Sequence, residues 1–257
     1  MAKRIWGKVV EITSVNNHLV KEIVKLQQKK YRIQSGKFLL EGYKAIKEAF
    51  DCGIELENIF VEKSKINDYI FAKNIVIETT EPVLKKLSTT DSAPSAVAVG
   101  SQKKYDKNIL KKSKKVVLLE DIKDLGNLGT IIRSSVAFGA DAIVLYGESV
   151  DIYNPKCVRA SVGNLWKLPI FHIQKIEDLK GIFDGFEKIA TLPRSTNMLK
   201  SFTPKLPAVV MFGSEANGLS EELIEFSTNS VKIEMEKTVE SLNLATSVSV
   251  ILYELFV

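Results

Sequence analysis

Residues 116–146 read VVLLEDIKDLGNLGTIIRSSVAFGADAIVLY. The opening run, residues 116–119, is apolar without alternation, the pattern of a strand covered on both faces. A glycine-punctuated loop, DLGNLG, follows it. Residues 131–138 then carry helical spacing, Gly139 stops that helix, and residues 142–145 are apolar again. Strand, helix and strand so close together make a βαβ unit and predict a parallel sheet with helices on its faces.

The same pattern extends downstream. Further strands are predicted at 170–173, 189–192, 208–212 and 231–235, with a helix over 155–166 and another after Leu219. A final helix over 241–256 has no charge before Glu254, so it must be buried on most sides, against the sheet and against a second subunit. Upstream, Val20, Ile23, Val24 and Tyr31 recur at helical spacing, and residues 38–40 form a short apolar run. Glu41-Gly42 opens a second helix through Phe50, with Gly53 as its cap. Strands at 59–61, 75–77 and 96–99 and a helix starting at Pro82 complete a smaller α/β layer domain. The lysine-rich stretch 101–115 has no apolar periodicity and places a boundary, giving domains 1–106 and 107–257.

With 257 residues, 45% hydrophobic and 26% charged, the composition is that of a globular chain and excludes disordered, collagen-like and mini-protein classes. No run of about 18 uncharged apolar residues is present, so no membrane span is expected. Lys8 and Glu11 interrupt the N-terminal apolar residues too early for a signal peptide, which predicts a cytoplasmic protein. Cys52 and Cys157, with only His18 and His172 for company, form no zinc-ligand spacing and no disulfide framework, so no metal is expected.

Net charge is +5, unevenly spread. Residues 1–50 hold eleven Lys or Arg against four Glu, residues 101–115 seven Lys against one Asp, and residues 212–257 eight Glu against two Lys. Solvated helix faces would account for this, and so would the footprint of a polyanion such as nucleic acid. Charge alone does not choose.

Parallel α/β sheets bind ligands beyond the carboxyl ends of their strands, which directs attention to the loops leaving residues 119, 212 and 235. In the first, Gly126 and Gly129 allow close backbone approach and Asn127 offers a donor and an acceptor. Arg133 lies one to two turns into a helix whose N-terminal amides favour an anion. Neither a dinucleotide fingerprint nor a P-loop is present. The second loop, FGSEANGLSEE at 212–222, sets Glu215 and Asn217 between Gly213 and Gly218. A helix cap at Ser220, with Glu221 and Glu222 near the helix dipole, explains the end of this loop. It does not explain Glu215, a carboxylate suited to a ligand hydroxyl or ammonium. In the third, Ser241 is a good N-cap, and Asn243 sits in the first turn of an otherwise apolar helix, where it needs partners from a capping network or a ligand.

Together NLGTIIR, FGSEANGLSEE and SLNLATSVSVILYE, with NPKCVRASVGNLWKLPIF between the first and second, resemble the SpoU or TrmH family of RNA ribose methyltransferases, within the SPOUT class. The resemblance runs from about residue 116 to the C-terminus. The stretch LVKEIVKLQQKKYRIQSGKFLLEGYKAIKEAF resembles the small ribosomal-protein-like domain that often binds substrate ahead of this catalytic domain. Any one motif is weak; three in register are specific.

The resemblance implies an α/β catalytic domain with a deep trefoil knot, S-adenosylmethionine as cofactor, and methyl transfer to a ribose 2′-hydroxyl of RNA, rRNA favoured over tRNA. It implies that Phe212, Gly213, Ile233, Met235 and Leu242 hold the cofactor. Arg133 is assigned to the hydroxyl and a nearby phosphate, with Asn127 orienting it, and Glu215, Ser241 and Asn243 complete the pocket. A guanidinium holds its proton too tightly to act alone as a base, which favours a composite role for Arg133, with phosphate or a backbone group sharing the proton. A homodimer would bring Arg133 of one subunit to the cofactor of the other. The chain departs from the family pattern at Leu125 and Glu234, where proline is usual; each proline would only stiffen a turn. Methylation of a base nitrogen and a non-catalytic RNA-binding role are the alternatives.

Overall fold

The computed structural model describes residues 10–236, 238–239 and 241–257. The described residues divide into two compact units, one of residues 10–103 with 153–163, the other drawn from 104–152 with 164–257.

The first unit is built from β1 (Val10–Ile12), α1 (His18–Val24), α2 (Lys29–Ser35), β2 (Lys37–Glu41), α3 (Tyr43–Asp51), β3 (Leu56–Glu62), β4 (Val76–Thr79), α4 (Glu81–Leu87) and β5 (Ala96–Ser101). Its sheet runs β1-β4-β3-β5-β2, with β5 antiparallel to both neighbours and the remaining pairings parallel. Asn17 starts α1 by accepting a hydrogen bond from the Leu19 amide at 2.9 Å, and Gly36 ends α2 at φ 66°. Val20, Ile23, Leu39, Phe60, Leu84 and Val97 meet in one core, each burial contributing roughly 1.5–3 kcal/mol. The helical spacing at residues 20–31 resolves into two helices meeting at a corner, and residues 63–75 form tight helical turns that the sequence pattern had not indicated.

The second unit holds α5 (Asn108–Lys112), β6 (Lys115–Glu120), α6 (Leu125–Ala137), β7 (Ala142–Tyr146), then, beyond the segment that joins the first unit and carries α7 (Pro155–Ala160), β8 (Ile170–Ile173), α8 (Ile176–Ile182), β9 (Glu187–Thr191), β10 (Ala208–Phe212), α9 (Glu221–Phe226), β11 (Asn229–Val231) and α10 (Leu244–Phe256). All strand pairings are parallel, in the order β11-β9-β10-β6-β7-β8. The chain builds outward from β6 through β7 to β8, then crosses to the other side of β6. The order therefore reverses between β6 and β10, the kind of place beyond whose strand ends parallel α/β sheets bind ligands.

Several expectations need correction. DLGNLG is not a loop. Residues 125–129 are the first turns of α6, because Asp124 caps the helix by accepting from the Asn127 amide at 2.7 Å and because Leu128 and Gly129 are buried. α10 begins at Leu244 with Asn243 as its N-cap; Ser241 lies ahead of it. The last strand ends at Val231, leaving residues 233–235 as irregular chain. The helix expected over 155–166 stops at Ala160, where Val162 at φ 49° and Gly163 at φ 78° turn the chain before a short helical turn at Asn164–Trp166. The lysine-rich stretch contains α5, whose Leu110 is buried.

In the first unit the distant segment is held by charge. Glu41, at the end of β2, is buried, and its carboxylate accepts from Arg159 Nη1 at 3.0 Å, Ser88 Oγ at 2.8 Å and the Thr89 amide at 3.3 Å. Burying a carboxylate without such partners would be costly.

Candidate functional site

A cavity of about 510 Å³ lies in the second unit at the carboxyl ends of β9, β10 and β11. Its walls bring together residues that the sequence separates widely. Phe212 and Gly213 come from the end of β10, Ile233 and Met235 from the chain beyond β11, and Leu242 from the approach to α10. Glu215, Ser241 and Asn243 also line it.

The loop after β10 is shaped by its glycines. Ser214 and Gly218 pair as a two-residue ladder, with Ser214 N donating to Gly218 O at 3.1 Å and Gly218 N to Ser214 O at 3.0 Å. Gly213 lies against the returning strand so closely that a Cβ there would stand 1.9 Å from the Gly218 carbonyl carbon. No side chain fits. Gly218, at φ 69°, supplies the left-handed turn that closes the ladder. Glu215, Ala216 and Asn217 are displayed at the exposed tip, where the Asn217 amide donates to Ser214 Oγ at 3.3 Å.

Glu215 has a partner at that tip. Asn127 Nδ2 donates to Glu215 Oε1 at 2.8 Å, and Asn243 Nδ2 donates to Asn127 Oδ1 at 3.1 Å. Both ends of the chain fix its polarity. Asn243 Oδ1 is engaged by the Thr246 amide at 3.3 Å, so its Nδ2 points outward; Glu215 as a carboxylate can only accept. One run of hydrogen bonds thus joins the start of α6 and the loop leaving β10 to the N-terminus of α10.

The base of the loop is held separately. Glu120, 7% exposed at the end of β6, accepts from the Ser220 amide at 2.8 Å, while Ser220 Oγ caps α9 by accepting from Leu223 N at 3.4 Å. Tyr146, at the end of β7, donates to Glu222 Oε2 at 2.6 Å. Burial, then the carboxylate beside it, pushes that phenol well above the ordinary tyrosine range and keeps it a donor.

Arg133 stands apart. It is exposed on α6, lines no part of the cavity, and its side chain makes no ion pair or hydrogen bond among the described residues. Six residues beyond Asn127, it lies about 120° round the helix and about 9 Å along it. Because α6 starts at Leu125, Arg133 is more than two turns from the helix N-terminus, deeper than the sequence had placed it.

Thr191, Leu192 and Pro193 line the cavity without having been anticipated. Their signal was positional: they leave a parallel strand at its carboxyl end, as the chosen loops do. Among the described residues no three His, Cys, Asp or Glu side chains group so as to hold a metal ion, and no helix is long and apolar enough to cross a membrane.

Residues 114–253 match the SpoU rRNA Methylase family, and residues 17–98 match the MRM3-like substrate binding domain. A tRNA/rRNA methyltransferase of Synechocystis sp., itself uncharacterised, is 34% identical over 97% of this chain and 94% of its own. A 23S rRNA guanosine 2′-O-methyltransferase of Bacillus subtilis is 26% identical over 95% of this chain and 98% of its own. The structure of an AdoMet-bound rRNA methyltransferase from Sinorhizobium meliloti superposes with a TM-score of 0.87 at 29% identity, covering 96% of this chain and 97% of that one.

Proposed function

The chain belongs to the SpoU rRNA methylase family, and from that premise we propose that it transfers a methyl group from S-adenosylmethionine to a ribose 2′-hydroxyl of ribosomal RNA. The observation that carries this reading is the run from Asn243 through Asn127 to Glu215, which ties two helix starts and the loop after β10 together beside one largely apolar cavity.

The residues fit the cofactor. Phe212, Ile233, Met235 and Leu242 offer apolar surface to an adenine ring, and backbone groups in the irregular chain at 233–235 can read its edge. Glu215 offers negative charge to a cofactor that carries an ammonium and a sulfonium. The volume lies within the range of about 300–1,000 Å³ usual for such ligands. When bound, the cofactor supplies an electrophilic methyl group. The protein's part is to place a ribose oxygen in line with it and to manage that oxygen's proton. Asn127 orients the hydroxyl, and Arg133 contacts the flanking phosphate and the oxygen as charge develops on it. Phosphate or a backbone group shares the proton.

Arg133 reaches a cavity in a second copy of the chain. In support, α10 packs on α6 through the Ser134–Ser249 hydroxyl pair at 2.7 Å and the Phe138–Tyr253 rings at 5.6 Å. Val250, Tyr253 and Val257 nevertheless remain 40%, 59% and 80% exposed at helical spacing. A homodimer would cover them. The family's deep trefoil knot, a substrate-binding role for the N-terminal domain at 1–106, catalysis by 107–257 and a cytoplasmic location belong to the same proposal.

The test is nucleoside analysis of ribosomal RNA incubated with the protein and labelled S-adenosylmethionine. Label is expected in a 2′-O-methylribose. Label in a base, or none, would refute the reading.

A further inference from the structure

The corner between α1 and α2 carries a feature that methyl transfer does not use. A shallow depression of about 200 Å³ is lined by Glu22, Lys25, Leu26, Tyr31, Gln34 and Ser35. Two ammonium groups approach the Tyr31 ring, Lys25 Nζ at 5.9 Å and Lys30 Nζ at 6.0 Å from its centre. They differ in their other contacts. Lys25 is paired with Glu22 at 2.7 Å, whereas Lys29 and Lys30 are exposed and have no ion pair among the described residues. Gln34 is also exposed and without a hydrogen bond there, leaving a donor and an acceptor at the rim.

We propose that this depression binds one unpaired nucleotide of the substrate RNA, its base stacked on Tyr31 and its phosphate on Lys30, at a distance along the RNA from the methylated ribose. The inference rests on the reading of ribosomal RNA as substrate. The Glu22–Lys25 pair neutralises the inner edge and repels phosphate from it, so the uncompensated charge of Lys29 and Lys30 sets the direction of the backbone. The aromatic face accepts any base, and the Gln34 amide discriminates among base edges. An acidic protein segment would find the same lysines but no use for a planar, amide-rimmed depression.

The experiment compares full-length wild type, Tyr31→Ala, Tyr31→Phe, Lys30→Ala and Gln34→Ala by fluorescence anisotropy on labelled fragments of 23S ribosomal RNA. Circular dichroism and S-adenosylmethionine titration of the same samples serve as controls. Tyr31→Ala is expected to weaken RNA binding about 5- to 150-fold, the usual range for one stacked base, with cofactor affinity unchanged. Tyr31→Phe should bind nearly as wild type. Lys30→Ala should lower the slope of log affinity against log salt by about one. Should Tyr31→Ala fail to fold, the exposed positions Lys30 and Gln34 still decide the matter. RNA affinity and salt slope unchanged in both would overturn the proposal while leaving methylation intact. Wild type that binds no ribosomal RNA would overturn it together with the function on which it rests.

Discussion

Asn127 uses both ends of its amide, accepting from Asn243 and donating to Glu215, so its loss leaves two groups without a protein partner at once. Water can replace a part-exposed bond, and Asn127→Ala is therefore expected to weaken cofactor binding by about 1–2 kcal/mol rather than to unfold the protein. Calorimetric titration checks this. Because the bonds act in series, the double variant with Glu215→Ala should cost little more than Glu215→Ala alone, and strictly additive losses would show that the bonds do not act as a unit. The three polar residues were legible in the sequence as polar groups with no structural reason to be where they are; their connection was not, since nothing in a sequence says that residues 127, 215 and 243 meet. Tyr69 presents the opposite case. It is 1% exposed, its hydroxyl has no well-formed hydrogen bond among the described residues, and burial, opposed in part by the nearby Ser95 side chain, pushes the phenol up to about 12. Folding is then insensitive to this group below about pH 10, and stability falls as the unfolded chain releases the proton between about pH 10 and the folded value. Tyr69→Phe is expected to unfold at equal or higher temperature at neutral pH and to lose on the order of 2 kcal/mol less than wild type between pH 9 and 12. Parallel alkaline losses in the two proteins would count against a buried, unpartnered hydroxyl.

At the scale of elements, the apolar runs fixed most strands, and the errors lie where capping decides. Gly126 and Gly129 each cost a helix about 1 kcal/mol relative to alanine, which is why the segment reads as a loop. Asp124, standing where an N-cap belongs, and the burial of Leu128, Ile131 and Ile132 outweigh that cost. At the start of α10 both Ser241 and Asn243 are good caps by type. Position selects between them, because Asn243 can cap Thr246 and still reach Asn127. The loop after β10 depends in the same way on an acceptor outside itself. Glu120→Ala would leave the Ser220 amide without its carboxylate, with an expected loss of about 1–3 kcal/mol and a looser Glu215. Glu120→Gln keeps an oxygen at that place and should recover most of the stability, read by denaturant titration. If Gln is as damaging as Ala, the charge of Glu120 matters for a reason other than this bond.

Over the whole molecule the parallel βαβ layout followed from the sequence, but the strand order did not. Nothing in the apolar runs says that the chain crosses β6 after β8, which sets β9, β10 and β11, whose carboxyl ends line the cavity, together on one side of that strand. Nor does the sequence show that residues 153–163 belong with the first unit, since Arg159 reads as one surface cation among many until Glu41 is seen beside it. The largest consequence at this scale concerns Arg133, which the fold separates from the cavity of its own chain. If the reactive centre combines the cavity of one subunit with Arg133 of another, Arg133→Ala and Asn243→Ala damage different halves of it. Each variant alone should be inactive, Arg133→Ala with cofactor affinity intact and Asn243→Ala with it reduced. Co-expressed in equal amounts, half of the dimers pair one variant with the other, and each of these holds one complete site out of two. The mixture should therefore recover about a quarter of wild-type methyl transfer. Introducing Tyr253→Asp into both chains places a charge on the exposed face of α10 and should remove that recovery as sedimentation shifts to monomer. Activity that stays at zero in a mixture shown to contain mixed dimers would mean that Arg133 serves the cavity of its own chain, and α6 would then have to move for it to arrive there.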